Sequence, residues 1–300
     1  MTNNQGIRYQ LTGESQRGRV CDYHRKPHPL NANRTTHAAD VSGLKKVDRD
    51  KAVKFNGFTY ESKFTIGFEV EKNRLSRGAV REYELFCGFE RDSSCGYEAV
   101  THILPLLPAG SWRNKVFDMM FKARKIIDDQ FSPSDSKCGG HITIGVNGMG
   151  GEDIMHAMRG NCGILMAIFR KRLGTFYCNH NPRMLSESDF YSGPWRYHSK
   201  YRLALPKSYG LEFRLPSRFQ SVKQMMRRYE MMHIIVDHSI NSAMASHKLL
   251  LDKLTPVLMS MYEGDTAKVD EMKRLAGLFR DFILTGRIDD DIRGFLEGAM

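Results

Sequence analysis

Two glutamates occupy neighbouring positions on one face of a predicted strand. In the stretch FTIGFEVEKN, residues 64–73, apolar side chains alternate with Thr, Gly and Glu. Because side chains on a strand point to opposite faces with a period of two, Glu69 and Glu71 share the polar face. Like charges at such positions repel each other, and glutamate has little preference for strands. The pair therefore indicates a cation or a reaction that requires both carboxylates.

Later strand candidates carry polar faces of the same kind. The same period of two adds the following residues to such faces: Glu90, Asp92, Glu98, His141, Glu212 and Arg214. If these strands form one sheet, its polar face collects up to six carboxylates, which cannot be crowded together without compensation. Divalent cations supply that compensation. Oxygen-rich sites with a single histidine suit Mg²⁺ or Mn²⁺, and two such ions can bind the phosphates of ATP.

Each of these residues also has a simpler interpretation when it is taken alone. A glutamate on a strand is more often exposed to solvent, because antiparallel sheets commonly have one wet face. His141 alone is more often structural than a ligand. Cys138, close to His141, has no evident orienting partner that would make it a nucleophile. The metal hypothesis therefore depends on the whole set of residues.

The surrounding elements predict an α+β protein, in which an antiparallel sheet carries helices on one face. Strands are predicted at 64–73, 79–92, 97–107 and 140–146, and a hairpin joins YRLALP to GLEFRLP. Helices are predicted at 112–131 with Ser111 as N-cap, at 152–173, at 222–247 after the N-cap Ser221, and from about 266 onward.

Bulk composition is that of a globular protein. The chain has 300 residues, of which 41% are hydrophobic, enough for one large domain or two small ones. Its start has no apolar signal core and no apolar run is long enough to span a bilayer, so we expect a cytoplasmic protein without a membrane partner. The six cysteines include no C-x-x-C pair and are interpreted as reduced thiols that mostly fill the core.

Positive charge is concentrated at the front of the chain. The formal net charge is +11, and residues 1–54 hold 11 lysines and arginines against five acids, a local charge of +6. This segment has little apolar periodicity, so we expect a polar arm that is loosely ordered or lies on the surface. A zinc site in it would have to use residues whose spacing fits no standard pattern: Cys21, His24, His28 and His37. The charge could attract nucleic acid or an anionic cosubstrate, and it cannot choose between them.

Four short motifs, taken in order, resemble the amidoligase family of the glutamine synthetase and glutamate–cysteine ligase superfamily. They are GFEVE, an acid-rich strand ending in GYE, CGGHITIG, and LEFRLPSR, and the resemblance runs from about residue 64 to residue 235. It implies an antiparallel sheet shaped as a funnel, with helices packed on its outer face and with ATP and two or three Mg²⁺ or Mn²⁺ ions inside. It also implies an ATP-dependent carboxylate–amine ligase, which forms an amide through an acyl phosphate. The family is common in phages and bacterial gene clusters.

The resemblance assigns roles by position. It implies metal ligands at Glu69, Glu71, Glu98, His141 and Glu212, with His141 also contacting phosphate and with either Glu90 or Asp92 as a further ligand. Arg214 would stabilise the phosphoryl group in transfer, and Glu71 and Glu98 are the candidate catalytic carboxylates. A nearby acid, which the sequence does not identify, would take a proton from the incoming amine. Contacts to nucleotide or acyl phosphate are implied more weakly for Arg196, Lys200 and Tyr201.

The chain is accordingly divided into a basic arm (1–55), an amidoligase-like catalytic domain (56–250) and a helical extension packed on it (251–300). The substrates would be a carboxylate and an amine, either small molecules, peptides or modified macromolecules. The Met-rich segment 222–247 could supply a homo-oligomer interface. Other functions stay open: a metal-dependent phosphoryl or nucleotidyl transferase, a nucleic-acid-binding protein without catalysis, or a relative that binds nucleotide without turnover.

Overall fold

The structure is a computed structural model. It describes residues 7–8, 53–55, 58–83, 85–92, 95–101, 104–128, 137–146, 148–173, 203–207 and 210–297. Within these ranges only the backbone is described for 7–8, 53–55, 58–62, 81, 87, 90–92, 111–112 and 297.

The described strands form two antiparallel sheets. The strands are β1 (Ile7–Arg8), β2 (Val53–Phe55), β3 (Phe58–Ser62), β4 (Phe64–Lys72), β5 (Phe86–Asp92), β6 (Gly96–Thr101), β7 (Leu104–Pro105), β8 (Ile142–Val146), β9 (Ala204–Lys207) and β10 (Gly210–Phe213). A small sheet has the order β1-β3-β2, and the main sheet has the order β5-β6-β4-β8-β10-β9, with β7 also paired to β4. All of these pairings are antiparallel, which confirms the predicted α+β class. The funnel shape of the sheet stays a prediction.

The described helices share one hydrophobic core with the main sheet. They are α1 (Arg77–Arg81), α2 (Ser111–Lys122), α3 (Arg124–Ile127), α4 (Gly151–Met158), α5 (Gly163–Ile168), α6 (Val222–Asn241), α7 (His247–Met261), α8 (Thr266–Thr285) and α9 (Asp290–Glu297), with 3₁₀ turns at Arg159–Asn161 and Arg170–Arg172. Ile66 and Phe68 of β4 and Phe213 of β10 belong to one continuous hydrophobic core with the helices. None of the helices in the described ranges has both the length and the apolar character needed to span a bilayer.

Specific contacts join the helices to the sheet and to one another. The Tyr229 hydroxyl of α6 donates to the Pro105 carbonyl of β7 and accepts from the Leu107 N–H. Gly163 lets α5 approach α8 closely, since a Cβ at this position would lie only 2.3 Å from the Ala276 carbonyl oxygen. The sheet and the C-terminal helices therefore share one core. Helix α7 runs across residue 250, where the sequence places the start of the C-terminal extension.

Two predicted elements in the first half of the chain are wrong in their bounds. The strand predicted at 79–92 begins only at Phe86, because the Ser76 hydroxyl caps α1 by accepting the Ala79 N–H. The helix predicted at 112–131 starts at Ser111, after the cap residue Gly110, and gives way to α3, whose last residue is Ile127. The chain turns away there because the Asp128 carboxylate accepts the N–H of Val222, at the start of α6.

Two predicted long helices are interrupted. The helix predicted at 152–173 divides into α4, α5 and the two 3₁₀ turns, in keeping with its two weak glycines, Gly160 and Gly163. The helix after Ser221 has the predicted N-cap, since the Ser221 hydroxyl accepts the Gln224 N–H, but it ends at Asn241 and a new helix starts at His247. The hairpin of β9 and β10 is confirmed, with Lys207 opposite Gly210.

The Met-rich segment 222–247, predicted as a possible homo-oligomer interface, packs several of its methionines into the core. Met225, Met231 and Met232 of α6 are buried in the core, whereas Met244, beyond the end of α6, is fully exposed. These buried side chains are not available to a partner subunit, so the homo-oligomer stays a prediction.

In the arm, Ile7–Arg8 pairs with Glu61 and Ser62 of β3. The proposed zinc residues of the arm lie outside the described residues.

A histidine at the start of α7 makes stability depend on pH. Burial, together with the nearby charges of Arg280 and His238, lowers the pKa of His247 to about 4. The folded state therefore favours the neutral imidazole, whereas the unfolded chain binds a proton near pH 6.5. The contribution of His247 to the free energy of unfolding is therefore fully present above about pH 6.5 and is lost as the pH falls toward 4.

We expect His247→Gln to lose less stability than the wild type when the pH is lowered from 7 to 4.5. Since the side chain is only partly buried, the difference should be about 1 kcal/mol rather than the full linkage value. Urea unfolding at both pH values measures it. His156→Gln, at an exposed position on α4, is the matched control and should follow the wild type. Equal pH dependence in the His247 variant and the wild type would contradict the assignment.

Candidate metal centre

Strand register brings the predicted acids onto one face of the main sheet. Glu71 of β4 lies opposite Glu98 of β6, and Glu212 of β10 lies opposite Thr143 of β8. The Glu69 N–H donates to the His141 carbonyl at 3.1 Å, which places these two residues side by side where β4 meets the start of β8. Directly opposed residues of antiparallel strands project to the same face, so the predicted polar face is confirmed.

The imidazole of His141 lies among three carboxylates. Its Nδ1 is 2.6 Å from Oε2 of Glu69, 3.4 Å from Oε1 of Glu71 and 3.9 Å from Oε1 of Glu212. The first distance is that of a strong hydrogen bond in which Nδ1–H donates to Glu69. In a neutral histidine this leaves Nε2 as the nitrogen with a lone pair.

The acidic face is buried. The exposed fractions are 1% for Glu69, 4% for Glu71, 1% for Glu98, 5% for His141 and 0% for Glu212. The simpler interpretation, a face of glutamates in contact with water, is therefore wrong for these residues. Burial of ionised carboxylates carries a large desolvation cost unless opposite charges or hydrogen bonds compensate it.

Two basic side chains contact Glu212. Arg214 donates to Oε1 of Glu212, and the ammonium of Lys207 forms an ion pair with Oε2. Burial disfavours the charged guanidinium, but the carboxylates of Glu212, Glu69 and Glu71 outweigh burial and raise the pKa of Arg214. With all four carboxylates ionised, they and these two cations together carry a net charge of −2. A divalent ion would balance that charge.

The geometry of the carboxylates fits one or two hard cations. Glu69, Glu71 and Glu98 each place one carboxylate oxygen within 4.8 Å of the other two. A second group, made of one ligand atom each from Glu69, His141 and Glu212, meets the same limit. Three carboxylates, or two carboxylates and an imidazole, are donor sets that suit Mg²⁺ or Mn²⁺. Because Glu69 belongs to both groups, it could bridge two ions.

The segment 138–140 supports the acidic cluster from one side. The Gly139 N–H donates to Oε2 of Glu71 at 2.6 Å. A buried arginine, Arg172, donates to the Cys138 carbonyl, and the Gly140 N–H donates to the Pro216 carbonyl. Another buried arginine, Arg228, contacts two phenylalanine rings and donates to the carbonyl of Ser217, which pairs with Gly139 in an isolated β-bridge. These bonds fix the orientation of the Glu71 carboxylate.

Gly139 is required because the imidazole lies against its Cα. A Cβ at this position would be 2.4 Å from Nε2 of His141, closer than any stable contact. We therefore expect Gly139→Ala to displace the imidazole from Glu69 and to weaken Mn²⁺ binding by about tenfold or more, as when an orienting group is lost. Calorimetric titration of the variant with Mn²⁺ measures this loss.

Gly277→Ala is the matched control for that substitution. Gly277 lies in α8 and a Cβ there has nothing within 4 Å, so the substitution should leave Mn²⁺ binding unchanged. Wild-type Mn²⁺ affinity in Gly139→Ala would mean that the imidazole does not need its present position.

The other predicted site residues have a less complete description. In the sheet register, Glu90 lies opposite Glu98, in one row with Glu71, and Asp92 lies opposite Gly96. Because their side chains are not described, the choice between Glu90 and Asp92 stays open. The predicted nucleotide contacts lie outside the described residues: Arg196, Lys200 and Tyr201.

Sequence reasoning missed Lys207, although the hairpin contains the signal. Leu205 lies opposite Glu212, and Lys207, two residues further, returns to the same face. The buried arginines behind the cluster, Arg172 and Arg228, have no comparable signal, because they reach it from helical segments.

The geometry of these side chains is the basis for any function assigned to the chain. No family model matches the chain, and neither a curated protein nor a solved structure does.

Proposed function

We propose that this protein is an ATP-dependent carboxylate–amine ligase that forms an amide bond through an acyl phosphate and uses Mg²⁺ or Mn²⁺. The observation that carries the metal-dependent part is the group of four buried carboxylates, three of which lie close to the imidazole of His141. The likeness of four short motifs to amidoligases supplies the expectation of ATP and of a ligase. Both lines of argument meet on the same residues.

Glu69, Glu71 and Glu98 would hold one ion. Glu69, His141 and Glu212 would hold a second, with the proton of His141 moved from Nδ1 to Nε2 so that Nδ1 can bind the ion. When bound, such ions neutralise charge on the phosphates of a nucleotide. The donor set fits them because all of these side chains converge within a few ångströms and are withdrawn from water. The remaining steps fall to side chains of the protein.

Arg214 is suited to a phosphoryl group in transfer. Its guanidinium is held by Glu212, and Glu69 and Glu71 also stabilise its charge. A guanidinium presents several donors in a rigid plane, so those not used by Glu212 can bind phosphate oxygens. Donors fixed in advance stabilise the developing charge without reorganisation.

A buried carboxylate can take the proton that the incoming amine releases. Glu71 and Glu98 lie opposite each other on β4 and β6, at the edge of the cluster away from the β10 residue Glu212. Glu71 already accepts the Gly139 N–H, which fixes its orientation. Either residue could act as the general base, and the proposal includes both as candidates.

A metal-dependent phosphoryl or nucleotidyl transferase would use the same side chains. It would yield a phosphorylated or nucleotidylated acceptor, whereas the ligase yields an amide together with ADP and phosphate. A nucleic-acid-binding protein without catalysis would leave the buried acids unexplained. The ligase and the transferase both use the whole cluster, and the likeness of the four motifs to amidoligases favours the ligase.

The first test is thermal denaturation with and without Mg²⁺–ATP. At about 100 times the dissociation constant, binding should raise the melting temperature by about 5 °C. Mass spectrometry of ATP-dependent products in a lysate of the native host then separates ligase from transferase. No change in melting temperature with saturating Mg²⁺–ATP would count decisively against the nucleotide site.

A further inference from the structure

Two thiols lie beside Glu71 and belong to neither carboxylate group. Cys95 and Cys138 are reduced and buried, with exposed fractions of 3% and 0%. The sulfur of each and one oxygen of Glu71 lie within 4.8 Å of one another. Two sulfurs and a carboxylate are a donor set of a different chemical class from the oxygen-rich groups of the cluster.

The backbone holds these three residues together. Cys95 comes directly before β6, and the pairings of Glu71 with Glu98 and of Lys72 with Tyr97 place the start of β6 beside the end of β4. Cys138 comes directly before Gly139, whose N–H donates to the Glu71 carboxylate. Arg172 fixes the Cys138 carbonyl. Chain segments that are distant in sequence thus present both thiols to the same carboxylate.

We propose that Cys95, Cys138 and Glu71 form a further site, which shares Glu71 with the carboxylate cluster, for a thiophilic divalent cation of the zinc class. Such an ion binds sulfur at about 2.3 Å and carboxylate oxygen at about 2.0–2.2 Å. In a tetrahedral site two sulfurs are then about 3.8 Å apart, so atoms within 4.8 Å need to approach by at most about 1 Å. As the metal–sulfur bonds form, each thiol releases its proton to solvent. Cys95 thereby gives up its weak hydrogen bond to the Tyr97 carbonyl.

Two other interpretations require more change or explain less. A disulfide needs sulfurs about 2.05 Å apart, so atoms at the 4.8 Å limit would have to approach by nearly 3 Å. A disulfide would also give no role to Glu71, the third member of the group. Inert core thiols account for the burial of both residues, but they do not account for a carboxylate oxygen within 4.8 Å of both sulfurs.

The closing experiment uses Co²⁺ as a probe on the full chain under reducing conditions. One equivalent should produce an intense thiolate-to-cobalt charge-transfer band, and Zn²⁺ should remove it by displacement. Cys95→Ser and Cys138→Ser should each reduce that band and weaken Co²⁺ binding by at least about tenfold. Cys162→Ser, at another buried cysteine, should leave the band unchanged.

Glu212→Gln separates this site from the carboxylate cluster. Glu212 belongs to a carboxylate group but not to the thiol group, so the band should survive this substitution even if Mg²⁺ no longer binds. A band without any response to Mg²⁺–ATP would therefore support the thiol site and count against the ligase.

X-ray absorption of the wild-type chain with one equivalent of Zn²⁺ covers the case in which a serine variant does not fold. It should show two sulfur neighbours at about 2.3 Å. The proposal is overturned by zinc with only oxygen and nitrogen neighbours, by a cobalt band that persists in both serine variants, or by no cobalt band at all.

Discussion

Arg214→Lys is expected to lower ATP-dependent ligation by about two orders of magnitude or more while the Mg²⁺-induced rise in melting temperature survives. Lysine keeps the positive charge beside Glu212. It replaces the planar guanidinium by a point charge on a flexible stem, so the donors directed at the phosphoryl group are lost. Metal binding should persist because none of the carboxylates is changed.

The competing interpretation is an ion pair without a catalytic part. The sequence alone would make it a surface pair worth at most about 1 kcal/mol. That version is wrong, because Arg214 is 8% exposed and Glu212 is fully buried. A buried ion pair can have a structural role, and lysine would preserve its charge. Under this interpretation Arg214→Lys changes stability modestly and leaves turnover at the wild-type level.

Lys207→Met is the matched control for Arg214→Lys. Lys207 contacts the other oxygen of Glu212, so its removal shows what the loss of one cation at this carboxylate costs. If displacement of Glu212 is the cause of a loss in ligation, both variants should fall to the same degree. Amide formation and the Mg²⁺-induced melting shift are measured on each protein. Wild-type turnover in Arg214→Lys would remove the phosphoryl role.

The cluster could be predicted because strand periodicity is local. Alternation within FTIGFEVEK places Glu69 and Glu71 on one face before any partner strand is known, and the β9–β10 hairpin does the same for Glu212 and Arg214. That these faces meet follows only if the strands join one sheet, as they do. The same two-residue periodicity could have predicted the contact between Lys207 and Glu212.

Features that depend on distant segments could not be predicted in this way. The central strand β4 pairs with β6 on one side and β8 on the other, an order that no local pattern specifies. The burial of the acids depends on packing, and the Gly139 contact depends on how closely the imidazole of His141 approaches it. The breaks in the helix predicted at 152–173 likewise reflect the close approach of α5 to α8.

In the metal-free protein, replacing a glutamate of the cluster by glutamine should change the free energy of unfolding with a different sign at different positions. Glu71→Gln and Glu69→Gln remove one charge from a crowd of acids, so the free energy of unfolding should stay unchanged or rise by about 1 kcal/mol. A glutamine oxygen can still accept the Gly139 N–H at position 71. In both variants the Mg²⁺-induced melting shift should disappear.

Glu212→Gln should instead destabilise the metal-free protein by about 3 kcal/mol. Glu212 is fully buried and contacts both Arg214 and Lys207, so a neutral side chain leaves two buried cations without their counter-charge. Among the carboxylates, Glu212 contributes most to the charge of Arg214, ahead of Glu69 and Glu71, so its substitution is expected to have the opposite sign.

Urea unfolding in the presence of a chelator measures all three variants beside the wild type. If Glu69→Gln and Glu71→Gln are destabilised as strongly as Glu212→Gln, the carboxylates are structural partners of protein cations rather than a group under mutual repulsion. Persistence of the Mg²⁺-induced shift in both variants would lead to the same conclusion. If the free energy of unfolding changes with opposite signs and the Mg²⁺-induced melting shift is lost, the carboxylates repel one another in the metal-free protein and bind a metal ion together.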